Sequence, residues 1–413
     1  MAATHTRYTF ILFGATGDLA VQKLFPALFA LHESGELAAC ARIIAVSRRS
    51  WETTDFLRFL RSGDGASYDE AFLSRIAYAK VDVDDKVGAG YRELAGLVEG
   101  EPIIYLSLAP KNHSKAIRDL KKAKVLARGT GKVLIEKPFG TDEKSAKALN
   151  RLLCGFLDER QICRVDHYLG KATVRAIVKL HSLTPHLEAL IDRDHVASMR
   201  VRFFESSGVN GRGASYDGVG AFRDVGQNHV LEMLAVLAAV GKHRTPRTKL
   251  LESLAPASKT CGLIRRGQHA SYRSEPHVHP DSETETAFEA VMSPQSGSLK
   301  GVLVTLEGGK YMPRSEVFVE IEFKDYADLP KSMRFSVRPH EEIAITARDG
   351  SQDIFDVSDG RDAYENVIAD AIAGRMDFFA GKEEVEALWR YADQVVACFG
   401  QLPLQTYDNE RPF

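Results

Sequence analysis

Between Tyr8 and Leu157 the chain alternates short apolar runs with longer amphipathic stretches, and this alternation constrains the fold more than any other feature. The apolar runs have strand length: Tyr8–Phe13, Arg42–Ser47, Ile76–Val81, Pro102–Leu108 and Lys132–Ile135. Helical spacing fills the intervals at Asp18–Glu33, Thr53–Arg61, Val87–Val98 and Asn112–Ala127, and Asp142–Leu157 follows the fifth run. Strands that take turns with helices predict βαβ units and a parallel sheet covered on both faces. Beyond about Lys171 the rhythm changes. A helix at Thr173–Leu183, a strand at Val196–Glu205 and a helix at Asp224–Val240 come first. Strands then follow one another at Thr286–Met292, Gly301–Glu307, Glu316–Phe323, Ser332–Val337 and Glu341–Ala347. Such a succession predicts a largely antiparallel sheet. Helices at Asp362–Ala373 and Glu383–Phe399 close the chain, and the later part of Gly241–Ser282 reads as an exposed connection.

A chain of 413 residues has room for two or three domains, at about 150 residues each. Lys and Arg number 54 against 56 Asp and Glu, a net charge of −2. That balance argues against a nucleic-acid partner, because phosphate backbones select strongly basic surfaces. The strongly apolar stretches, such as Met233–Val240, are too short to span a bilayer, so no membrane partner is expected. The run Tyr8–Phe13 leads straight into a glycine-rich turn and reads as a strand, not a signal peptide. The five cysteines are scattered and form no CxxC, which predicts neither a disulfide framework nor a zinc site and points to the cytoplasm. His277 and His279 lack a carboxylate cluster, so no metal is expected there.

The first strand is followed by Gly14-Ala15-Thr16-Gly17-Asp18-Leu19-Ala20 at the opening of a helix. Glycines there let the backbone approach a pyrophosphate, and the free N–H groups of the helix start bind its charge. The spacing is GxxGDL and not GxGxxG, and by itself it also fits a plain turn between strand and helix. The second strand ends at Ser47 and runs into Arg48-Arg49 with no acidic residue. In a Rossmann unit this place faces the adenosine ribose, where Arg accommodates a 2′-phosphate and an acidic residue holds a 2′-hydroxyl. NADP is therefore favoured over NAD, with Arg48 as the contact; a solvated arginine pair is the alternative reading.

These elements, taken with three more, resemble the glucose-6-phosphate dehydrogenase family. They are the Gly14–Ala20 motif with Lys23 and Pro26, then Ile135-Glu136-Lys137-Pro138-Phe139-Gly140, then Arg164-Val165-Asp166-His167-Tyr168-Leu169-Gly170-Lys171, then Arg223-Asp224-Val225-Gly226-Gln227-Asn228-His229. Weaker similarity continues through Gly308-Gly309-Lys310 and from Asp362-Ala363-Tyr364-Glu365 to Trp389, so it covers nearly the whole chain. The resemblance implies an α/β plus α+β protein. An N-terminal Rossmann-like domain (1–170) would bind the dinucleotide. A larger domain (171–413) with a mixed, mainly antiparallel sheet would serve substrate binding and oligomerisation. The implied reaction oxidises the C1 hydroxyl of glucose 6-phosphate to a lactone with hydride transfer to NADP. Homodimers or homotetramers are implied as well.

The residue roles follow the same resemblance. Oxidising a hemiacetal needs a base with a pKa near neutrality, for which His is suited. His229 matches that base, and Asp166 matches the carboxylate that fixes its tautomer. Without the motif, His229 also fits a polar residue at a helix start. His167, Tyr168 and Lys171 offer an imidazole, a phenol and a cation to the sugar phosphate. Glu205, Asp224 and Lys310 match residues that hold the sugar, although Asp224 also fits a simple N-cap. Lys137 matches a lysine that reaches both substrate and coenzyme, with Pro138 bending the chain beside it. Gly14, Thr16, Gly17, Asp18 and Leu19 complete the expected coenzyme set. Glu307 stands where the family usually has Arg, Arg338 where it often has a sugar-contacting Gln, and Leu299, Leu303 and Ala109 also depart. Two other readings stay open: a dehydrogenase of a related 6-phosphorylated sugar such as an amino-glucose, and a non-catalytic sensor of NADP or sugar phosphate.

Overall fold

Six consecutive buried residues, Tyr8–Phe13, form the first strand (β1) of a parallel sheet. An uninterrupted apolar run suits a strand covered on both faces. The computed structural model describes residues 7–63, 67–84, 88–180, 189–240, 246–258, 261–408, 410, 411 and 413. Around β1 lie β2 (Cys40–Ser47), β3 (Ile76–Lys80), β4 (Glu101–Leu106), β5 (Lys132–Glu136) and β6 (Ile162–Val165), in the order β3-β2-β1-β4-β5-β6. Every pairing in this sheet is parallel. This is the order of a dinucleotide-binding doubly wound sheet, which reverses direction between β1 and β4. The expected five strands are all present within one or two residues; β6 was not anticipated, because Ile162–Val165 includes the fully buried Arg164. Arg164 is held by the Asn150 amide oxygen at 2.8 and 3.1 Å and by the exposed Glu159 carboxylate at 2.5 Å, so its charge is paired at the surface.

The chain divides into two units, and the first comprises residues 1–140, 144–170 and 362–382. The returning segment carries the helix Ala363–Ala373, capped by Asp362, whose carboxylate accepts the Tyr364 N–H at 2.9 Å, while the Glu365 carboxylate accepts the Asp362 N–H at 3.1 Å. The reciprocal capping satisfies two backbone donors that a helix start leaves open. Val367, Ile368 and Ala371 of this helix join the core formed by Phe10, Leu28, Phe56 and Leu134. Its first turn rests directly on Gly170, where a Cβ would overlap the Ala363 carbonyl oxygen, and Asn366 donates to the Gly170 carbonyl at 3.0 Å. The division at 170/171 read from the sequence follows chain order and does not include this return.

The second unit, residues 141–143, 171–361 and 383–413, is built on a ten-stranded sheet. Its strands are β7 (Val196–Phe204), β8 (Leu254–Pro256), β9 (Ile264–His269), β10 (Ala287–Pro294), β11 (Leu303–Gly309), β12 (Glu316–Phe323), β13 (Ser332–Arg338), β14 (Glu342–Thr346), β15 (Gln352–Asp356) and β16 (Leu404–Tyr407). The order is β15-β14-β13-β12-β7-β11-β10-β9-β16, with β8 on β10. Only β7–β11 and β9–β16 are parallel, so the sheet is mixed and mostly antiparallel, as expected. β9 corrects the reading of the later part of Gly241–Ser282 as an exposed connection. Its sequence, Ile-Arg-Arg-Gly-Gln-His, has no apolar run, and its strand character comes from pairing with β10 and β16. The helix expected at Thr173–Leu183 is observed over Ala172–Val178; residues 181–183 lie outside the described residues.

Cys261 and Cys398 form a disulfide within the second unit, with Cα atoms 5.7 Å apart, which corrects the expectation of no disulfide. The two lie 137 residues apart in sequence, so only tertiary structure brings them together. Cys40 and Cys163 are free and buried. Among the described residues no helix is long and apolar enough to cross a membrane.

Candidate active site

The glycine turn and Arg48, expected from the sequence to take the coenzyme, belong to the first unit. After β1 the chain turns at Gly14, with φ +73°, and a Cβ there would overlap the Ser107 carbonyl oxygen. No residue with a side chain fits this crossing. The turn is closed by the Gly17 N–H on the Gly14 carbonyl at 2.9 Å and tied to β2 by the Ala15 N–H on the Val46 carbonyl at 3.0 Å. A cavity of about 300 Å³ opens beside it, at the carboxyl ends of the strands, and Gly14, Thr16, Gly17 and Arg48 all line it. This is the switch point where a doubly wound sheet binds its ligand. Asp18 and Leu19 do not line the cavity; Leu19 instead packs against the unit's hydrophobic core.

The chain beyond β2 is fixed by hydrogen bonds. The Ser47 and Tyr78 hydroxyls are 2.6 Å apart, the Tyr78 hydroxyl donates to the Arg49 carbonyl at 2.7 Å, and the Arg49 N–H donates to the Ser47 hydroxyl at 3.2 Å. The Arg49 guanidinium lies over the Trp51 ring at 4.7 Å, whereas Arg48 faces the cavity. The two neighbours thus have different surroundings, which the sequence alone did not separate. Asp82 and Asp84, beyond β3, also line the cavity and were not anticipated. Nothing in their local sequence marks them, since only the sheet order brings β3 beside β2.

At the end of β5, Glu136 is half-buried, accepts a hydrogen bond from the Tyr105 hydroxyl and precedes Lys137, whose bond to Pro138 is cis. Burial pushes the Glu136 carboxyl up to about 7, against the pull of Tyr105 and Lys137, and the Asp166 charge adds to the rise. Asp166 itself is 1% exposed and accepts the Tyr168 N–H at 2.9 Å. His167 stacks on Tyr364 of the returning helix, with ring centres 5.6 Å apart and planes 8° off parallel. Tyr168 is buried. Lys171 starts the second unit, immediately before the helix Ala172–Val178, with Glu341 as an opposing charge.

The residues of the second unit expected from the sequence to hold a sugar form a tight cluster. Lys310 follows β11 and is 3% exposed; its ammonium lies 2.5 Å from Glu205 and 3.2 Å from Asp224. It also sits 5.6 Å from the centre of the Tyr216 ring. Glu205 follows β7 and is pinned by backbone bonds on both sides, its N–H to the Gly309 carbonyl at 2.8 Å and its carbonyl to the Met312 N–H at 3.0 Å. Asp224 belongs to a π-helix, Phe222–Val230, that also carries His229. Hydrogen bonds in a π-helix join residues five apart, so Asp224 and His229 stand one turn from each other, as they would not in an α-helix. The Asn228 amide donates to the Asp224 carbonyl at 3.0 Å, and its oxygen accepts the His229 N–H at 2.7 Å. The buried His229 ring is stacked on Phe203 at 5.5 Å.

The departures noted in the sequence are placed as well. Glu307 is 6% exposed and pairs with Arg200 at 2.5 Å and Arg202 at 2.6 Å, in a ladder that continues through Glu316 to Arg334. Arg338 ends β13 and is exposed. Glu205, Asp224 and Lys310 are therefore brought together with the His229 helix in one unit, and the glycine turn and Arg48 in the other.

Residues 11–176 match the family described as glucose-6-phosphate dehydrogenase, NAD binding domain, and residues 182–411 match its C-terminal domain. The chain is 30% identical over 419 residues to a glucose-6-phosphate 1-dehydrogenase of Helicobacter pylori strain J99, covering 97% of this chain and 96% of the relative. It is 29% identical to the Bacillus subtilis enzyme of that name, covering 93% and 90%. Among solved structures, a glucose-6-phosphate 1-dehydrogenase from Mycobacterium avium is similar with a TM-score of 0.83 at 28% identity, covering 98% of this chain and 94% of that one. A glucose-6-phosphate dehydrogenase in complex with its substrate glucose-6-phosphate gives a TM-score of 0.86 at 27% identity, covering 99% and 96%.

Proposed function

The chain belongs to the glucose-6-phosphate dehydrogenase family, and from that membership we propose that it is an oxidoreductase converting D-glucose 6-phosphate to 6-phosphogluconolactone with NADP. The observation that carries this reading is the Lys310 cluster: a buried ammonium between Glu205 and Asp224, with His229 one π-turn further along. Two carboxylates and an ammonium supply acceptors and a donor to ring hydroxyls, and the imidazole is the base that takes the C1 hydroxyl proton. Asp166 fixes the tautomer of that imidazole. His167, Tyr168 and Lys171 hold the phosphate, and Lys137 serves both ligands.

The coenzyme supplies the hydride acceptor. The residues fit it: Gly14, Thr16 and Gly17 line one cavity at the strand ends beside the helix start, and Arg48 faces that cavity as the donor for a 2′-phosphate. A second reading, oxidation of another 6-phosphorylated hexose such as an amino sugar, draws on the exposed Arg338 in place of Gln.

A cytoplasmic location belongs to the reading, since both ligands are charged metabolites. So does a homodimer or homotetramer. Its support is the outer strand β15, which leaves Ile354 and Phe355 57% and 52% exposed. Identification of the product by NMR tests the reaction. A 6-phospholactone, and the 6-phosphogluconate it hydrolyses to, is expected; no oxidised sugar with NADP present would overturn the reading.

A further inference from the structure

Glu285 is a buried carboxyl that the mechanism above does not use. It lies two residues before β10 and is 6% exposed. Its carboxylate accepts the N–H of Phe222, the first residue of the π-helix, at 3.1 Å. Its backbone carbonyl accepts the Ala221 N–H at 3.0 Å and the Tyr216 hydroxyl at 3.3 Å. The carboxylate occupies the space left by Gly220, φ +82°, where a Cβ would overlap both of its oxygens. The next residue, Thr286, accepts the Lys310 N–H on its carbonyl at 2.9 Å. Its hydroxyl lies 2.7 Å from the Tyr407 hydroxyl, which donates to the Lys310 carbonyl, also at 2.7 Å. Two adjacent residues thus hold the start of the helix bearing Asp224 and His229, and both sides of Lys310.

We propose that Glu285 is a positioning residue for the dehydrogenase reaction: it fixes the first turn of the Phe222–Val230 helix and so sets where Asp224 and His229 stand relative to Lys310. An anion at a helix start is favoured by the unpaired N–H groups there. The charges that favour the ionised carboxylate are Arg223 on the π-helix and Arg266 on β9, and the Tyr216 phenol of the segment before feels its charge in turn. Burial still outweighs them and raises the carboxyl to about 7. A buried acid kept at such a cost in charge solvation, against a glycine that must stay bare, marks a place where position matters more than stability.

The inference rests on the proposed activity, and its test separates the two. Glu285→Ala removes the acceptor, whereas Glu285→Gln keeps an oxygen for the Phe222 N–H. Hydrogen exchange read on peptides over 222–230 should speed up about tenfold in the Ala variant and stay near wild type in the Gln variant. With glucose 6-phosphate and NADP, kcat should fall about tenfold for Ala and recover for Gln to within threefold, while the dissociation constant of NADPH, read by its fluorescence, stays within twofold in both. Unchanged exchange over 222–230 in the Ala variant, or kcat and NADPH affinity falling together, would overturn the proposal. A wild type inactive on glucose 6-phosphate would overturn the activity alone, because the exchange measurement still decides the role of Glu285.

Discussion

Single side chains carry the chemistry, and each can be removed singly. His229→Asn keeps a polar side chain against Phe203 but loses the base, so kcat should fall by about two to four powers of ten with coenzyme binding intact. Near-normal turnover would remove His229 from the mechanism. Charge-assisted bonds to a phosphate dianion contribute about 1.5–3 kcal/mol each. Lys171→Ala should therefore raise the KM for glucose 6-phosphate about ten- to hundredfold and leave the weak use of free glucose unchanged. An equal loss for both sugars would deny Lys171 a phosphate. Arg48 faces the coenzyme cavity while Arg49 stacks on Trp51, so Arg49 is poorly placed to substitute for it. Arg48→Ala should raise the KM for NADP about tenfold at low salt, less at high salt, and leave that for NAD alone. An equal effect on both coenzymes would make Arg48 a solvated charge. At this scale the sequence was most legible where a motif packs several chemical groups into a few residues. Glu285, Asp82 and Asp84 escaped because each acts through a partner distant in sequence: Phe222, or a cavity wall built from neighbouring strands.

Elements decide how those side chains are presented. The strand β1 and its glycine turn were readable because a parallel strand buried on both faces must be apolar throughout, and because only glycine passes Ser107 so closely. The π-helix was not. Phe222–Val230 has the composition of an ordinary helix start, and nothing in its residues distinguishes i→i+5 from i→i+4 pairing. β9 was missed for a related reason, being polar in sequence and made a strand by its neighbours. Glu136 at the end of β5 links an element to pH. Burial raises its folded-state pKa to about 7 from an ordinary 4.5. The protonated form is thus the one the fold prefers. Its contribution to stability is full below about pH 4.5 and is lost as pH rises through 7, a change on the order of 3 kcal/mol. Glu136→Gln, neutral throughout, should gain melting temperature relative to the native protein on going from about pH 5 to about pH 8. The same difference at both pH values would mean that Glu136 is ionised at little cost in the fold.

The whole molecule combines two units whose sheets were anticipated in kind, parallel then largely antiparallel, from the switch in strand rhythm near Lys171, with the mixed character of the second implied by the family resemblance. The sequence did not reveal that the chain returns to the first unit at 362–382, because the helix Ala363–Ala373 looks like any amphipathic helix until Gly170 is seen beneath it. Nor did it pair Cys261 with Cys398. Sedimentation should find a dimer or tetramer, and substituting Asp for both Ile354 and Phe355 should shift it toward monomer; a native monomer would deny β15 that role. The central claim concerns the reaction itself. Purified protein given NADP and, in turn, glucose 6-phosphate, glucosamine 6-phosphate and glucose should be followed by the near-ultraviolet absorbance of NADPH. The account predicts the highest kcat/KM for glucose 6-phosphate, by at least about tenfold over either competitor, as expected when a buried site is built for a particular set of polar groups. A higher kcat/KM for the amino sugar, or no NADPH from any of the three, would contradict it.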